Sequence, residues 1–199
     1  MELNSRAPTI EIDTPPKENY SSLKMLIALG FLVAGLIVIT PLAGVPAAVI
    51  FALLWLEKVI SAMSQGIVGE LGIEFYTVPL IFAGILYGPV AAFFIGFVGM
   101  PLLDSVKWLI SPPKFTGGWP PMVPGPDSVV DGLVGAIAGM LAYASFPLEI
   151  LIPVAVILKV VIATAKDMLV YGQPPKPTMI VNAFFNIYLA GLLSFIITL

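Results

Sequence analysis

The chain contains no cysteine and no histidine. Their absence excludes disulfides, thiolate and imidazole metal sites, cysteine nucleophiles and the imidazole base on which much acid–base catalysis relies. Charge is scarce as well: 11% of the 199 residues are charged, where a soluble domain carries roughly 25%. A net charge of −3 provides no basic field, so nucleic acid is set aside as a partner. There is no G-x-x-x-x-G-K-S/T loop to hydrolyse a nucleotide and no G-x-S-x-G elbow for an esterase. An enzyme is therefore not expected, and active transport by this chain would need an ion gradient or another polypeptide.

What is abundant is apolar. Hydrophobic residues make up 59% of the chain and the mean hydropathy is +1.04, which predicts an integral, multi-pass protein of the cell membrane with the lipid bilayer as its surroundings. Residues 1–22 are polar, proline-containing and of mixed charge, and read as a disordered tail; residues 23–199 read as one transmembrane domain. The expected fold class is all-α, a polytopic membrane helix bundle.

The first apolar run, about Lys24 to Ala43, has the length of one spanning helix and is expected to stop at Thr40-Pro41, with Gly44 and Pro46 making the turn. The second, about Ala47 to Gln65, carries Glu57 and Lys58, adjacent opposite charges expected to face protein rather than lipid. The stretch from Val78 to Ile110 is too long for one crossing and is interrupted by Gly88 and Pro89. At 1.5 Å per residue its first part covers about 15 Å and its second about 33 Å, so a half-length helix should turn into a full-length one. Gly88 permits the unusual backbone angles, and Pro89 suits a first helical turn. Three further helices are expected: one after the rigid loop "SPPKFTGGWPPMVPGPDS", one from Pro147 to about Tyr171, and one from about Met179 to Leu199.

Polar residues gather where loops meet helix ends: Glu70 and Glu74; Asp104, Lys107 and Trp108; Trp119; Asp127 and Asp131; Lys166 and Asp167; Asn182 and Asn186. Apolar walls with a few convergent polar and aromatic groups suit a small-molecule pocket. Each group also has a plain structural reading. Asp104 and Lys107 can pair locally one turn apart, Asp127 can cap a helix, the tryptophans can belong to an interfacial belt, and the asparagines can bond to a neighbouring helix. Lys159, deep in an apolar run, must find a partner or water. Small-residue pairs such as Gly84/Gly88, Ala92/Gly96, Gly135/Gly139 and Ala48/Ala52 allow close helix contact, either inside the bundle or against another subunit.

The segment "ELGIEFYTVPLIFAGILYGPVAAFFIGFVGMPLLDSVKWLI" resembles the substrate-binding S-components of energy-coupling factor (ECF) vitamin transporters, most closely the riboflavin-specific type, and "NAFFNIYLAGLLSFIITL" is similar to that family's last helix. The resemblance runs from about Pro46 to the C-terminus. It implies a six-helix core, here with Lys24 to Ala43 as an added N-terminal helix, and a pocket for riboflavin or a related small vitamin as transported ligand, with no cofactor. It implies a transmembrane coupling subunit and two ATPase subunits as partners, docking on the face of Ala48 and Ala52. Candidate ligand contacts are Glu74, Phe75, Tyr76, Asp104, Lys107, Trp108, Trp119, Asp131, Lys159, Asn182 and Asn186. The family's last-helix motif has a basic residue where Leu189 stands here. Lys58, Lys107, Lys114, Lys166 and Lys176 lie beside the long loops; the positive-inside rule places those loops in the cytoplasm, whereas the family arrangement places them outside.

Two other classes compete. One is a stand-alone ion-coupled carrier or channel using Asp104, Lys159 and Asp167 as a relay. The other is an intramembrane lipid-modifying enzyme using Asp127 and Asp131, for which no metal or nucleophile motif is present.

Overall fold

The computed structural model describes residues 22–64, 67, 71, 73–111 and 122–194. The tail at 1–21, Glu70, Lys114 and the candidate contact Trp119 lie outside the described residues. Every element among the described residues is helical.

Helix α1, Ser22–Met63, has 42 residues, roughly 63 Å of helix and about twice the thickness of a bilayer core. It does not run straight. Gly44 adopts φ 83° and ψ 175°, a conformation essentially reserved for glycine, and Pro46 starts the next turn. The two limbs fold back on each other: Trp55 Nε1 donates to the Ala28 carbonyl at 3.2 Å, and a Cβ at Gly35 would lie 2.3 Å from the Phe51 ring.

Helix α2, Thr77–Phe94, repeats the device at Gly88, with φ 85° and ψ 170°, immediately before Pro89. Its second limb passes through a π-helical turn at Ile95–Gly99 into α3, Met100–Ile110. The widened turn has a local cause. Pro101 has no N–H to donate and its ring would crowd the carbonyl four residues back, and the Met100 N–H reaches instead to the Ile95 carbonyl.

Helix α4, Pro126–Tyr143, lies between the two limbs of α2. Three glycines on one face permit this. A Cβ at Gly84 would lie 2.2 Å from the Gly135 carbonyl oxygen, one at Gly139 would lie 2.6 Å from the Pro89 nitrogen, and one at Gly96 would lie 2.5 Å from the Gly132 nitrogen. Helices α5, Leu148–Val170, and α6, Thr178–Leu193, complete the bundle. Because α1 and α2 each bend into two limbs, the second limb of α2 continuing through α3, the described residues form seven long limbs.

The half-length first limb of α2 is the centre. All residues from Thr77 to Gly84 are buried, as expected for a helix surrounded by others, and Leu80, Ile81 and Phe82 join Leu54, Val134, Leu151 and Val156 in the main core. The two ends of the bundle differ. At one end the bends cluster, and Tyr87 donates to the Ala43 carbonyl at 3.0 Å, tying one bend to the other. At the opposite end stand Glu74, Asp127, Lys166 and Asp167. Ser22–Met63, Thr77–Ile110 and Leu148–Val170 are long and apolar enough to cross a membrane.

Candidate ligand-binding cavity

A cavity of about 510 Å³ opens at the charged end, between the segment leading into α2, the first turns of α4, the last turns of α5 and the start of α6. Helical periodicity explains which residues reach it. Lys159, Ala163, Lys166 and Asp167 share one face of α5, and Asp127, Val130 and Asp131 share one face of α4.

The floor is a connected polar network. Lys159, whose side chain is 6% exposed, donates to Thr77 Oγ1 at 2.8 Å and lies 3.4 Å from Glu74 Oε2. Its ammonium also stands 4.4 Å from the centroid of the Tyr76 ring, a cation–π contact. Asn182 Nδ2 donates to the same Glu74 carboxylate at 3.2 Å. One turn deeper, fully buried Asn186 donates to the Glu74 backbone carbonyl at 2.7 Å and to Asn182 Oδ1 at 2.8 Å. The lysine demanded by its apolar run is thereby satisfied.

The outer wall is a second cluster. Lys166 bridges Asp127 and Asp167, the latter at 2.8 Å, and stands 5.3 Å from the Tyr171 ring. Asp127 is engaged here and does not cap α4; the reach-back bond at that terminus comes from the Gly125 N–H to Ser128 Oγ at 3.2 Å. Burial, then the carboxylates of Asp131 and Glu74, hold the Tyr76 phenol well above its usual ionisation range. Tyr171 is raised too, by burial first and then by Asp127.

Between floor and wall stands Asp131. It is 8% exposed and lines the cavity. Among the described residues it makes no hydrogen bond and no ion pair.

Of the residues singled out in the sequence, Glu74, Tyr76, Asp131, Lys159 and Asn182 come together here, with Asn186 directly behind them. Others go elsewhere. Phe75 turns away into an apolar cleft with Pro79, Phe185 and Leu189. Asp104 pairs not with Lys107 but with Lys58 at 2.6 Å, because the second limb of α1 packs along α3. Neither Asp104, Lys107 nor Trp108 lines the cavity; Lys107 and Trp108 are half-buried on α3. Ala48 is buried within the chain and Ala52 is half-buried, so together they form no fully open face. Thr77 and Tyr171 were not signalled by any motif. Thr77 is found only once Lys159 is placed across from it, 82 residues away in sequence.

Compared with protein-family models, curated proteins and solved structures, the chain matches none. Among the described residues, fold and site define an all-helical bundle with membrane-spanning lengths and a polar chamber.

Proposed function

We propose that this chain is the membrane-embedded cargo-binding subunit of an importer of the energy-coupling factor type, a multi-pass protein of the cell membrane. Its cargo is riboflavin or a related small vitamin, and separate ATPase and coupling subunits energise it. The observation that carries this reading is the 510 Å³ chamber with charged walls at one end of an otherwise apolar bundle. A cavity of that size, lined by a few oriented polar groups, suits a small molecule. Seven long limbs among the described residues are the number that a six-helix core with one added N-terminal helix would have. The sequence has no phosphate-binding loop of its own, which is in keeping with energy supplied by other chains.

The test is a titration of the purified chain, prepared without added ligand, against a panel of vitamins by calorimetry and intrinsic fluorescence. At least one should bind below micromolar concentration, and liposomes should accumulate it only when ATPase and coupling subunits are present. Uptake by the chain alone, abolished by collapsing an ion gradient, would replace this reading with that of an ion-coupled carrier. Lys159 and Asp167 do share the chamber, but the relay sketched for such a carrier loses Asp104, which is paired with Lys58 outside it.

A further inference from the structure

Four carboxylates, of Glu74, Asp127, Asp131 and Asp167, and three ammonium groups, of Lys159, Lys166 and Lys176, line the chamber. Lys159 is engaged by Glu74 and Thr77, Lys166 is shared by Asp127 and Asp167, and Lys176 sits exposed at the rim. Asp131 is left over, 8% exposed, facing the cavity and without a partner among the described residues. Its backbone is also fixed: Gly96, in the π-helical turn, packs so closely beneath it that a Cβ there would lie 2.6 Å from the Asp131 carbonyl oxygen. The side chain therefore cannot escape by a shift of α4. A carboxylate withdrawn from water without a contact partner is unfavourable and takes up a proton unless a cation meets it, so an arriving cation would supply the contact that Asp131 lacks.

We infer that the cargo carries a positively charged N–H group, an ammonium or an amidinium, which seats against the Asp131 carboxylate. This inference rests on the reading of the chain as a cargo-binding subunit and turns the cargo away from uncharged riboflavin toward a related small vitamin that carries a cation. An organic cation fits the donor set better than a metal ion. Hard metal ions gather six or more oxygens, and among the described residues no three Asp, Glu, His or Cys side chains are placed to share one. A single carboxylate suits one N–H donor carrying one charge. The adjoining acidic wall at Asp127 and Asp167 adds to the negative field.

Matched probes test it on the unaltered protein. Pyridoxamine and pyridoxine share a ring that is zwitterionic near neutral pH and differ chiefly in an ammonium against a hydroxyl; thiamine, whose thiazolium charge bears no N–H, supplies a cation without the donor, riboflavin an uncharged vitamin and biotin an anion. Pyridoxamine should bind at least about 30-fold tighter than pyridoxine, riboflavin and biotin, the loss typical of removing one partner of a buried charge pair. Asp131→Asn, which keeps the side chain's shape, should erase that preference, whereas Glu149→Gln, exposed in the first turn of α5, should leave it intact. Tight binding of riboflavin or biotin, unchanged in Asp131→Asn, would overturn the inference while preserving the importer. Cation binding that depends on Asp131, joined to uptake by the chain alone, would overturn the importer while preserving the inference. Failure of all probes to bind would overturn both.

Discussion

Gly84 and Gly135 meet with nothing between them: a methyl group on Gly84 would stand 2.2 Å from the Gly135 carbonyl oxygen. The obstacle is backbone and cannot rotate aside. Gly84→Ala should therefore destabilise the protein by about 3 kcal/mol, at the upper end of overpacking costs, and lower its thermal midpoint in detergent. Gly191→Ala, on α6 with no neighbour within 4 Å of the added methyl, is the control. It should be neutral or stabilising by up to about 1 kcal/mol.

Gly88→Ala tests the bend in α2. With φ at 85° an L side chain is strained, at a cost of roughly 1–3 kcal/mol. Gly44→Ala should do the same in α1, where φ is 83° and a Cβ meets nothing closer than 3.7 Å. Gly44 thus reports backbone strain almost free of crowding. Circular dichroism during thermal unfolding would measure both.

The Glu74–Lys159 pair should respond unequally to removal of either member. Lys159 is 6% exposed and Glu74 36%. Glu74→Gln strands a deeply buried ammonium and should cost about 3 kcal/mol, whereas Lys159→Met leaves a carboxylate that retains Asn182 and some water and should cost nearer 1 kcal/mol. Unfolding of the two single variants and the double variant gives the coupling directly.

Tyr76 sets an alkaline limit. Its phenol ionises well above the ordinary 10.0 in the folded protein, because burial and the nearby carboxylates disfavour the phenolate. The raised value means that its contribution to stability is complete below pH 10 and falls as pH climbs from there toward the folded value. Tyr76→Phe should flatten that decline between pH 10 and 11, as measured by thermal midpoint alongside absorbance at 295 nm.

Much of the architecture was legible because glycine and proline mark bends chemically. Gly44, Pro46, Gly88 and Pro89 placed both turns, and the i, i+4 spacing of Asn182 and Asn186 placed them on one face, where they bond. The central position of residues 77–84 was not legible. A run that is apolar all round reads the same whether protein or lipid surrounds it. For the site, Glu74, Tyr76, Asp131, Lys159 and Asn182 were found as polar groups near helix ends. Asp104, Lys107 and Trp108 gave the same signal and failed as cavity residues, because only the packing of α1 on α3 puts Lys58 opposite Asp104. Phe75 failed for a local reason: it lies outside any helix between Glu74 and Tyr76, and its side chain faces the opposite way from theirs.

The encasement of residues 77–84 also bears on traffic. A molecule seated over Thr77 could travel onward only by prying apart Leu80, Ile81 and Phe82, all at 0% exposure. Among the described residues, the polar floor at Thr77 is thus sealed from beneath by close-packed apolar side chains.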